Sequence, residues 1–581
     1  MISKLAIMAA HEKSTIMVKW RLGCIAALFI GLSGCVTRPS PPVAALAPVA
    51  LPPRPMPATT LLDLLQAEQL IDAHQAAAAL PIYERQAMQT RDPHILERAT
   101  SLAIVTHHDR RTQTLAQLWL QVDPSSLKAE SALAGALWRQ GHYEAAGHDL
   151  QDILQRAPNT SFEDLVLSQP GQDDQDRQRL LATLNHLVEA LPDNPQALYA
   201  RAFWYAHRGD LQRAQADCER IMGEDPGFLA AYLLDARLLE MQGHLAAAVS
   251  TLQSAVKEHP DAYVARQSIA ALQLRLGHPL AAEQDYLQLA EDVPADGDFW
   301  LAHALLAFQN HHDASARASL ERLLSLGEHL NDAHFYLGQL DTHDHHDAAA
   351  LQHFEAVGIG PDYVAAQQSA TDLRVKMGQS AQALQHLQEA ATAHPEFASD
   401  AAVMSSDILS TEGHYAEAAH LLDLRLHDDP HNPDLLYSRG MLAVELDDLP
   451  LFERDIRAVL AQNPDNPIAL NALGYTLAEK TNRLDEARGY IEHALRLTPD
   501  DAAIIDSLGW VEFRQGHLQQ AIAQIQKAWD MSHDDEIGAH LGELLWRQGN
   551  VSAARAIWQQ SLRSAPGSRF VLETEKRLGA L

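Results

Sequence analysis

Alanine recurs along this chain at a nearly constant interval, and apolar residues follow it at helical spacing. From Ala214 to Ala383 the successive steps are 34, 34, 34, 34 and 33 residues. After Ala248, Leu252 and Ala255 complete an i, i+4, i+7 pattern that predicts an amphipathic helix. The alanines of this ladder are Ala146, Ala214, Ala248, Ala282, Ala316, Ala350, Ala383, Ala418, Ala487, Ala521 and Ala554.

Glycine and proline keep the same period as the alanines. A glycine usually stands five residues before the alanine, where a turn between antiparallel helices favours a positive φ. A proline follows about 12 residues after the alanine and ends the second helix. Each period is therefore predicted to be one helical hairpin. The glycines are Gly141, Gly209, Gly243, Gly277, Gly378, Gly413, Gly516 and Gly549, and the prolines are Pro158, Pro226, Pro260, Pro294, Pro395, Pro430, Pro464, Pro499 and Pro566.

The pattern is most complete in the last period, which contains Leu541, Gly542, Gly549, Ala554, Trp558 and Pro566. Their order and spacing resemble the consensus of the tetratricopeptide repeat (TPR) family, and the resemblance extends over roughly residues 60–575. It implies an all-α fold, a TPR solenoid wound as a right-handed superhelix of about 12–14 helical hairpins. Segments 59–125 and 159–190 depart from the pattern.

In the TPR family the first helix of each hairpin lines the concave side of the superhelix. The resemblance therefore implies that ligand contacts lie on these first helices. An aromatic ring at such a position can equally pack against the neighbouring repeat, and this alternative stays open for each residue. The candidate contacts are Tyr199, Phe203, Asn471, Tyr475, Trp510 and Phe513.

The N-terminus has the features of a bacterial export signal. Lys19 and Arg21 precede an apolar run of nine residues, which is too short for a membrane-spanning helix. Residues 32–35, Leu-Ser-Gly-Cys, then resemble a lipoprotein processing site, which implies cleavage before Cys35 and its acylation. A start at Met17 rather than at the first residue would give a more ordinary signal, and both starts stay open.

Residues 36–58 contain eight prolines and no glycine, which predicts an extended tether rather than a helix. Val36 stands where lipoproteins retained in the inner membrane often have aspartate, so the resemblance implies the periplasmic face of the outer membrane. The predicted organisation is a signal peptide at 1–34, an acylated cysteine and tether at 35–58, a divergent helical region at 59–125 and a solenoid at 126–575.

The net charge of −32 disfavours a nucleic-acid partner, because phosphates would be repelled. Such a charge is typical of a solvated acidic surface, and the sharper alternative is attraction to a basic partner. The three cysteines form no disulfide framework, because Cys24 is removed with the signal and Cys35 is acylated. The remaining one, Cys218, falls at a predicted core position.

Histidines concentrate at 311–312 and at 343–346, and both clusters fall in predicted hairpin turns. Because their spacing matches no closed four-ligand site, we expect an exposed polar turn rather than a metal centre. Metal binding by the segment His343–His346 nevertheless stays open. The sequence contains no recognised nucleophile, metal or phosphate motif, so we expect neither catalysis nor a cofactor.

Two stretches are more distinctive than the TPR pattern: NALGYTLAEKTNRLDEARGYIEHALRLTPDDAAIIDSLGWVEFRQG (471–516) and AHLGELLWRQGN (539–550). With the signal and the tether, they resemble proteobacterial outer-membrane lipoproteins that partner the periplasmic carboxyl-terminal processing protease. This resemblance implies an adaptor that binds the protease, promotes its activity and presents cell-wall hydrolases as substrates. The alternative is a TPR scaffold for envelope assembly, such as exopolysaccharide export or activation of a cell-wall synthase.

Overall fold

The computed structural model describes residues 57–168 and 173–580. The signal peptide 1–34, Cys35 and most of the tether therefore lie outside the described residues. Within the described residues the chain is built from helices without any strand, and it forms two compact units. The predicted all-α class is confirmed.

The N-terminal unit extends to residue 328. Its helices are α1 (Ala58–Asp72), α2 (Ala76–Thr90), α3 (Pro93–Val105), α4 (Asp109–Val122), α5 (Leu127–Arg139), α6 (Tyr143–Arg156), α7 (Glu163–Ser168), α8 (Asp174–Ala190), α9 (Pro195–His207), α10 (Leu211–Glu224), α11 (Leu229–Met241), α12 (Leu245–Glu258), α13 (Tyr263–Arg275), α14 (Pro279–Asp292), α15 (Gly297–Gln309) and α16 (Asp313–Leu326).

The C-terminal unit begins at residue 329. It contains α17 (Leu330–His343), α18 (Asp347–Glu355), α19 (Tyr363–Lys376), α20 (Ser380–Ala393), a 3₁₀ turn (Pro395–Phe397), α21 (Ala398–Thr411), α22 (Tyr415–Asp428), α23 (Pro433–Glu445), α24 (Leu449–Gln462), α25 (Pro467–Lys480), α26 (Leu484–Leu497), α27 (Ala502–Arg514), α28 (Leu518–Ser532), α29 (Asp535–Arg547), α30 (Val551–Ser564) and α31 (Arg569–Leu578). Odd-numbered helices are the first helices of the regular hairpins.

Several first helices begin at an Asn-Pro pair, which combines an N-cap with the fixed φ of proline. Asn194 Oδ1 accepts a hydrogen bond from the backbone N–H of Ala197 at 3.0 Å, and Pro195 is the first residue of α9. Asn466 Oδ1 accepts from the N–H of Ala469 at 3.1 Å in the same way at the start of α25. These caps place the helix starts in the same register from repeat to repeat.

The predicted turn glycines all have a positive φ, from 72° at Gly378 to 92° at Gly549, which confirms the prediction. Where a repeat lacks the glycine, His311, His345 and Asp447 take φ values of 57° to 59°. This left-handed conformation is costly for most side chains and is tolerated best by short polar ones and histidine. The geometry of the turn therefore persists where glycine is replaced.

The alanines of the ladder lie at packed positions of the fold. All eleven alanines of the ladder are fully buried, and Phe452 is fully buried where the alanine is missing. Each proline of the ladder follows the end of a second helix by two residues, as Pro464 follows Gln462. Cys218 lies in the core of the N-terminal unit, and burial strongly raises the pKa of its thiol.

The interval 159–190 replaces a regular hairpin with two unequal helices. Helix α7 has six residues and helix α8 has seventeen. Phe162 and Val166 are buried in the hydrophobic core of the N-terminal unit, and so is Leu180 of α8. Both helices therefore continue the packed core across this interval.

In the C-terminal unit, the first helices of neighbouring hairpins contact one another directly. Helix α21 contacts α23, and helix α25 contacts α27. Among the described residues of this unit, second helices of neighbouring hairpins make no comparable contact. Because the first helices lie closer together, the stack curves with its first helices on the inside.

No helix between residues 57 and 580, apart from the gap at 169–172, is long and apolar enough to cross a membrane.

Candidate functional site

Two of the predicted contact residues, Tyr199 and Phe203, lie on α9 in the N-terminal unit. Their rings stack with centroids 5.9 Å apart, and the ring of Tyr199 also lies 5.4 Å from that of Phe228. All three rings are half-buried against the hydrophobic core. The pair therefore contributes to packing and keeps part of each ring at the surface.

The other four predicted residues lie on α25 and α27 in the C-terminal unit. Asn471 is 4% exposed, and its Oδ1 has no hydrogen-bond partner in the part of the chain that the structure describes. Trp510 is equally buried, and its Nε1–H donates to Glu479 Oε2 at 2.6 Å. The ring of Phe513 lies 5.2 Å from that of Trp510, and Tyr475 is half-buried.

His540 on α29 connects these residues, although the sequence did not single it out. Its Nδ1 lies 2.8 Å from Asp506 Oδ2, and its Nε2 lies 3.3 Å from the hydroxyl of Tyr475. Its ring stacks on Trp510 with centroids 4.3 Å apart. Burial and the negative charge of Glu536 raise the pKa of Tyr475. This network links three consecutive first helices.

The charge of His540 follows from its surroundings. Burial alone would lower the pKa of the imidazole, but the carboxylates of Asp506, Glu536 and Glu543 raise it to about 9. At neutral pH both ring nitrogens are therefore protonated, and they donate to Asp506 and Tyr475. Burial and the negative charge of Asp506 raise the pKa of Glu536, although the cationic His540 opposes this. One cation thus stands among several carboxylates.

Two more carboxylates, Asp372 on α19 and Asp407 on α21, lie on first helices of the same unit. Asp372 accepts a hydrogen bond from Gln368 Nε2 at 2.9 Å. Burial and the charge of Asp372 raise the pKa of Asp407 to about 7. Burial and the charge of Asp407 in turn strongly raise the pKa of Tyr437 on α23. These acidic and aromatic groups are therefore electrostatic neighbours.

We call this surface the acidic inner face, defined by Asp372, Asp407, Tyr437, Tyr475, Glu479 and Glu536. The repeat register could have revealed it, since Tyr437, Asn471 and Asp506 stand 34 and 35 residues apart, and Asp372 and Asp407 stand 35 apart. The contacts predicted from the sequence are aromatic residues and Asn471, because one carboxylate among 76 acidic residues carries no signal by itself.

The histidine-rich turn between α17 and α18 gathers three possible metal ligands. Asp341, Asp344 and His346 each place one ligand atom within 4.8 Å of the others, and only Asp341 is buried. In the other histidine pair, His312 Nδ1 lies 2.8 Å from a carboxylate oxygen of Glu283. Since a structural zinc ion takes four ligands, a polar turn without a metal stays our prediction.

Comparison with known proteins identifies the repeat. Residues 205–273, 437–502 and 507–569 match the tetratricopeptide repeat family. The chain is 35% identical over 484 residues to the TPR repeat-containing protein PA4667 of Pseudomonas aeruginosa, covering 83% of this chain and 82% of that protein. The chain belongs to the tetratricopeptide-repeat family. The predicted TPR solenoid is thereby confirmed, and the TPR chain is a protein-binding scaffold.

Two solved structures are also similar to the TPR chain. The structure of Naa15/Naa10 bound to HypK-THB has 16% identity and a TM-score of 0.35, covering 67% of this chain and 66% of that chain. The APC/C hetero-tetramer Cut9–Hcn1 has 16% identity and a TM-score of 0.34, covering 90% and 96% respectively. At these scores the likeness carries no argument about function.

Proposed function

We propose that this TPR protein is a non-catalytic adaptor at the periplasmic face of the outer membrane. Lipid on Cys35 holds it there, and it binds a carboxyl-terminal processing protease and presents cell-wall hydrolases to that protease. The lipoprotein-like segment 32–35 and the resemblance of residues 471–516 support this proposal. With a net charge of −32, the chain needs lipid rather than electrostatic attraction to stay on an anionic membrane.

The observation that carries the adaptor role is an exposed apolar edge on helix α1. Leu61, Leu62 and Leu65 are 50%, 68% and 55% exposed, whereas Leu64 and Leu70 pack against the hydrophobic core of the first hairpins. Clustered exposed leucines are typical of a contact surface. Helix α1 therefore covers the core with one side and offers the other side to the protease.

The acidic inner face of the C-terminal unit offers a second surface of different chemistry. In this proposal it receives the substrate. Holding a substrate and a protease on one chain raises their effective concentration to roughly the millimolar range without any catalytic group. Faster proteolysis then follows from proximity alone.

Affinity capture from a detergent extract tests the adaptor role. The wild-type protein should retain the processing protease, and the variant Leu61→Gln/Leu62→Gln/Leu65→Gln should lose it. The control Met241→Gln/Val264→Gln replaces residues that are 60% and 61% exposed elsewhere in the same unit and should retain the protease. Absence of the protease from the wild-type capture would refute the adaptor role. Polysaccharide-export proteins or a cell-wall synthase in its place would favour the envelope-assembly alternative.

Membrane fractionation tests the anchor. Cys35→Ala should move the protein from the membrane fraction to the soluble fraction, because no acyl chain can be attached. Cys24→Ala is the matched control, since it changes a cysteine within the segment that is removed, and it should stay on the membrane. A membrane-bound Cys35→Ala protein would contradict the anchor.

A further inference from the structure

We propose that the acidic inner face binds an extended, lysine- and arginine-rich segment of a partner protein. The proposal deepens the proposed function and rests on it only in taking the TPR chain as a scaffold for protein partners. It is carried by two carboxylates, Asp372 and Asp407, without a cation among the described residues, by aromatic rings on the same face, and by a buried acceptor without a donor.

Asp372 and Asp407 of the acidic inner face differ from the buried carboxylate Asp455 of the same unit. Asp455 receives two hydrogen bonds from the guanidinium of Arg439, at 2.7 and 3.0 Å. Asp372 and Asp407 have no such cation among the described residues, and their like charges repel each other. Within the fold, an arginine neutralises the negative charge of Asp455. No described arginine does so at Asp372 and Asp407, where a basic ligand could supply the positive charge.

Aromatic rings lie beside these carboxylates. Tyr437 is half-buried next to Asp407, and Tyr475 is half-buried next to Glu536 and Glu479. A cation over a tyrosine ring gains cation–π attraction, and a neighbouring carboxylate adds a charge-assisted hydrogen bond. Each tyrosine with its acidic neighbour thus supplies both parts of a binding site for a lysine or arginine side chain.

A third observation is independent of charge. Asn471 is buried and its Oδ1 lacks a donor, and Asn471 and Tyr475 stand at i and i+4 on one side of α25. Asp506 is likewise buried with Oδ1 unpaired. A buried acceptor without a donor costs free energy. Lysine and arginine side chains carry donors only, so they complement these oxygens.

The arrangement also indicates an extended ligand. The acidic and aromatic residues repeat on consecutive first helices, and neighbouring helices pack roughly 8–10 Å apart. A segment in the extended polyproline II conformation advances about 9 Å in three residues, and every third side chain points to the same side. Basic side chains at every third position would therefore meet successive helices. The net charge of −32 favours the approach of such a segment over that of an acidic one.

Fluorescence anisotropy with the full chain in detergent micelles tests the proposal. The probe is a fluorescein-labelled peptide with lysine at every third position and glycine or serine between. The lysine peptide should bind, and its dissociation constant should rise with salt because the contacts are electrostatic. A matched peptide with glutamine in place of lysine should not bind. Equal binding of the two peptides, or no binding of the lysine peptide, would overturn the proposal.

Two double variants locate the binding. Asp372→Asn/Asp407→Asn should weaken binding of the lysine peptide by about tenfold, as loss of charged contacts does. The control Glu417→Gln/Asp530→Asn removes two carboxylates from exposed sites on second helices. Asp530 accepts from Gln526 Nε2 at 2.8 Å, much as Asp372 accepts from Gln368. If both double variants weakened binding of the lysine peptide equally, the peptide would be held only by long-range attraction to the net negative charge. That result would overturn the proposed site.

The two proposals fail separately. Capture of the protease by the wild-type protein together with failure to bind the lysine peptide would remove the basic-segment proposal and leave the adaptor. Binding of the lysine peptide that depends on Asp372 and Asp407, without capture of the protease, would leave the basic-segment site and remove the adaptor.

Discussion

Whether a glycine inside a helix is needed for packing depends on the side chain that lies against it. A Cβ atom added at Gly542 would lie 2.0 Å from Trp558 Nε1, whereas one added at Gly489 would meet nothing within 4 Å. Gly542 therefore makes room for a fully buried tryptophan of the second helix. Gly489 has no comparable role, although both glycines lie inside helices.

Gly542→Ala should lower the free energy of unfolding by about 1–3 kcal/mol, because the indole must move in a packed core. Gly489→Ala should raise it by roughly 0.5–1 kcal/mol, because alanine favours the helix. Urea unfolding followed by circular dichroism measures both. A stabilising Gly542→Ala would contradict the packing argument.

Asp407 makes the stability of the protein depend on pH. Its pKa is raised to about 7 from an ordinary value of 3.8, so the native state loses stability as pH rises from about 4 through 7. Asp407→Asn should therefore be more stable than wild type at pH 8, by roughly 1–2 kcal/mol after allowance for solvent screening, and equal to it near pH 3.5. Thermal unfolding at the two pH values checks this. Lower stability of the variant at pH 8 would contradict it.

His540 has the opposite pH dependence. Its pKa is raised from 6.5 to about 9, so the stabilisation from its charged form is complete below pH 6.5 and is lost as pH rises through 9. Asp506→Asn removes the carboxylate that holds the proton and should flatten this decline, which we expect to be on the order of 2 kcal/mol. Unfolding free energies at pH 6.5 and 9.5 measure it. An unchanged decline in the variant would exclude the pair as its source.

At the scale of elements, buried ion pairs join the two helices of a hairpin. Arg439 on α23 binds Asp455 on α24, and Arg201 on α9 binds Asp217 on α10 at 2.6 and 2.9 Å. In both hairpins the arginine stands 16 residues before the aspartate. The same arginine–aspartate ion pair therefore occurs at one position of the repeat in each unit.

Asp455→Asn should destabilise the protein by about 2–3 kcal/mol, because Arg439 loses its buried carboxylate partner and keeps only the exposed Asp423, 2.7 Å from Nη1, as a counter-charge. The double variant Arg439→Met/Asp455→Leu should recover most of this loss, since it buries apolar groups of similar size instead. Denaturant unfolding distinguishes the two. A double variant as unstable as Asp455→Asn would show that packing rather than the lost buried ion pair is responsible.

At the scale of the whole molecule, each hairpin packs mainly on its neighbours, as expected of a repeat protein. Destabilisation should therefore stay near its origin instead of spreading evenly through the chain. The matched aspartates in the two units allow this to be tested in both directions.

Asp217→Asn should reduce amide hydrogen-exchange protection in helices near α9 and α10 and leave α25–α30 protected. Asp455→Asn should do the reverse, reducing protection near α23 and α24 and leaving α1–α6 protected. Hydrogen exchange read by mass spectrometry resolves these segments. Uniform loss of protection along the chain in either variant would show that the whole molecule unfolds as one cooperative unit.

The hairpin fold could be predicted from the sequence because its determinants are local. The turn geometry at Gly378 and Gly549, the buried alanines, and the prolines after each second helix are properties of short segments that recur at a fixed period. The pattern could not predict the left-handed turn at His311, where glycine is replaced. The flanking helices impose this conformation, and the residue type does not reveal it.

The acidic inner face could be predicted only in part. Asn471, Tyr475, Trp510 and Phe513 were placed on first helices from their register, whereas the role of His540 emerged only from its contacts.

The sequence by itself thus determined the helical hairpins and their order, because periodic small and apolar residues encode local helix packing. Only the tertiary structure decided which side chains share a surface and which charges remain without a partner. Residues 34 or 35 positions apart become neighbours because successive hairpins stack on one another, and burial and pKa depend on everything that packs around them.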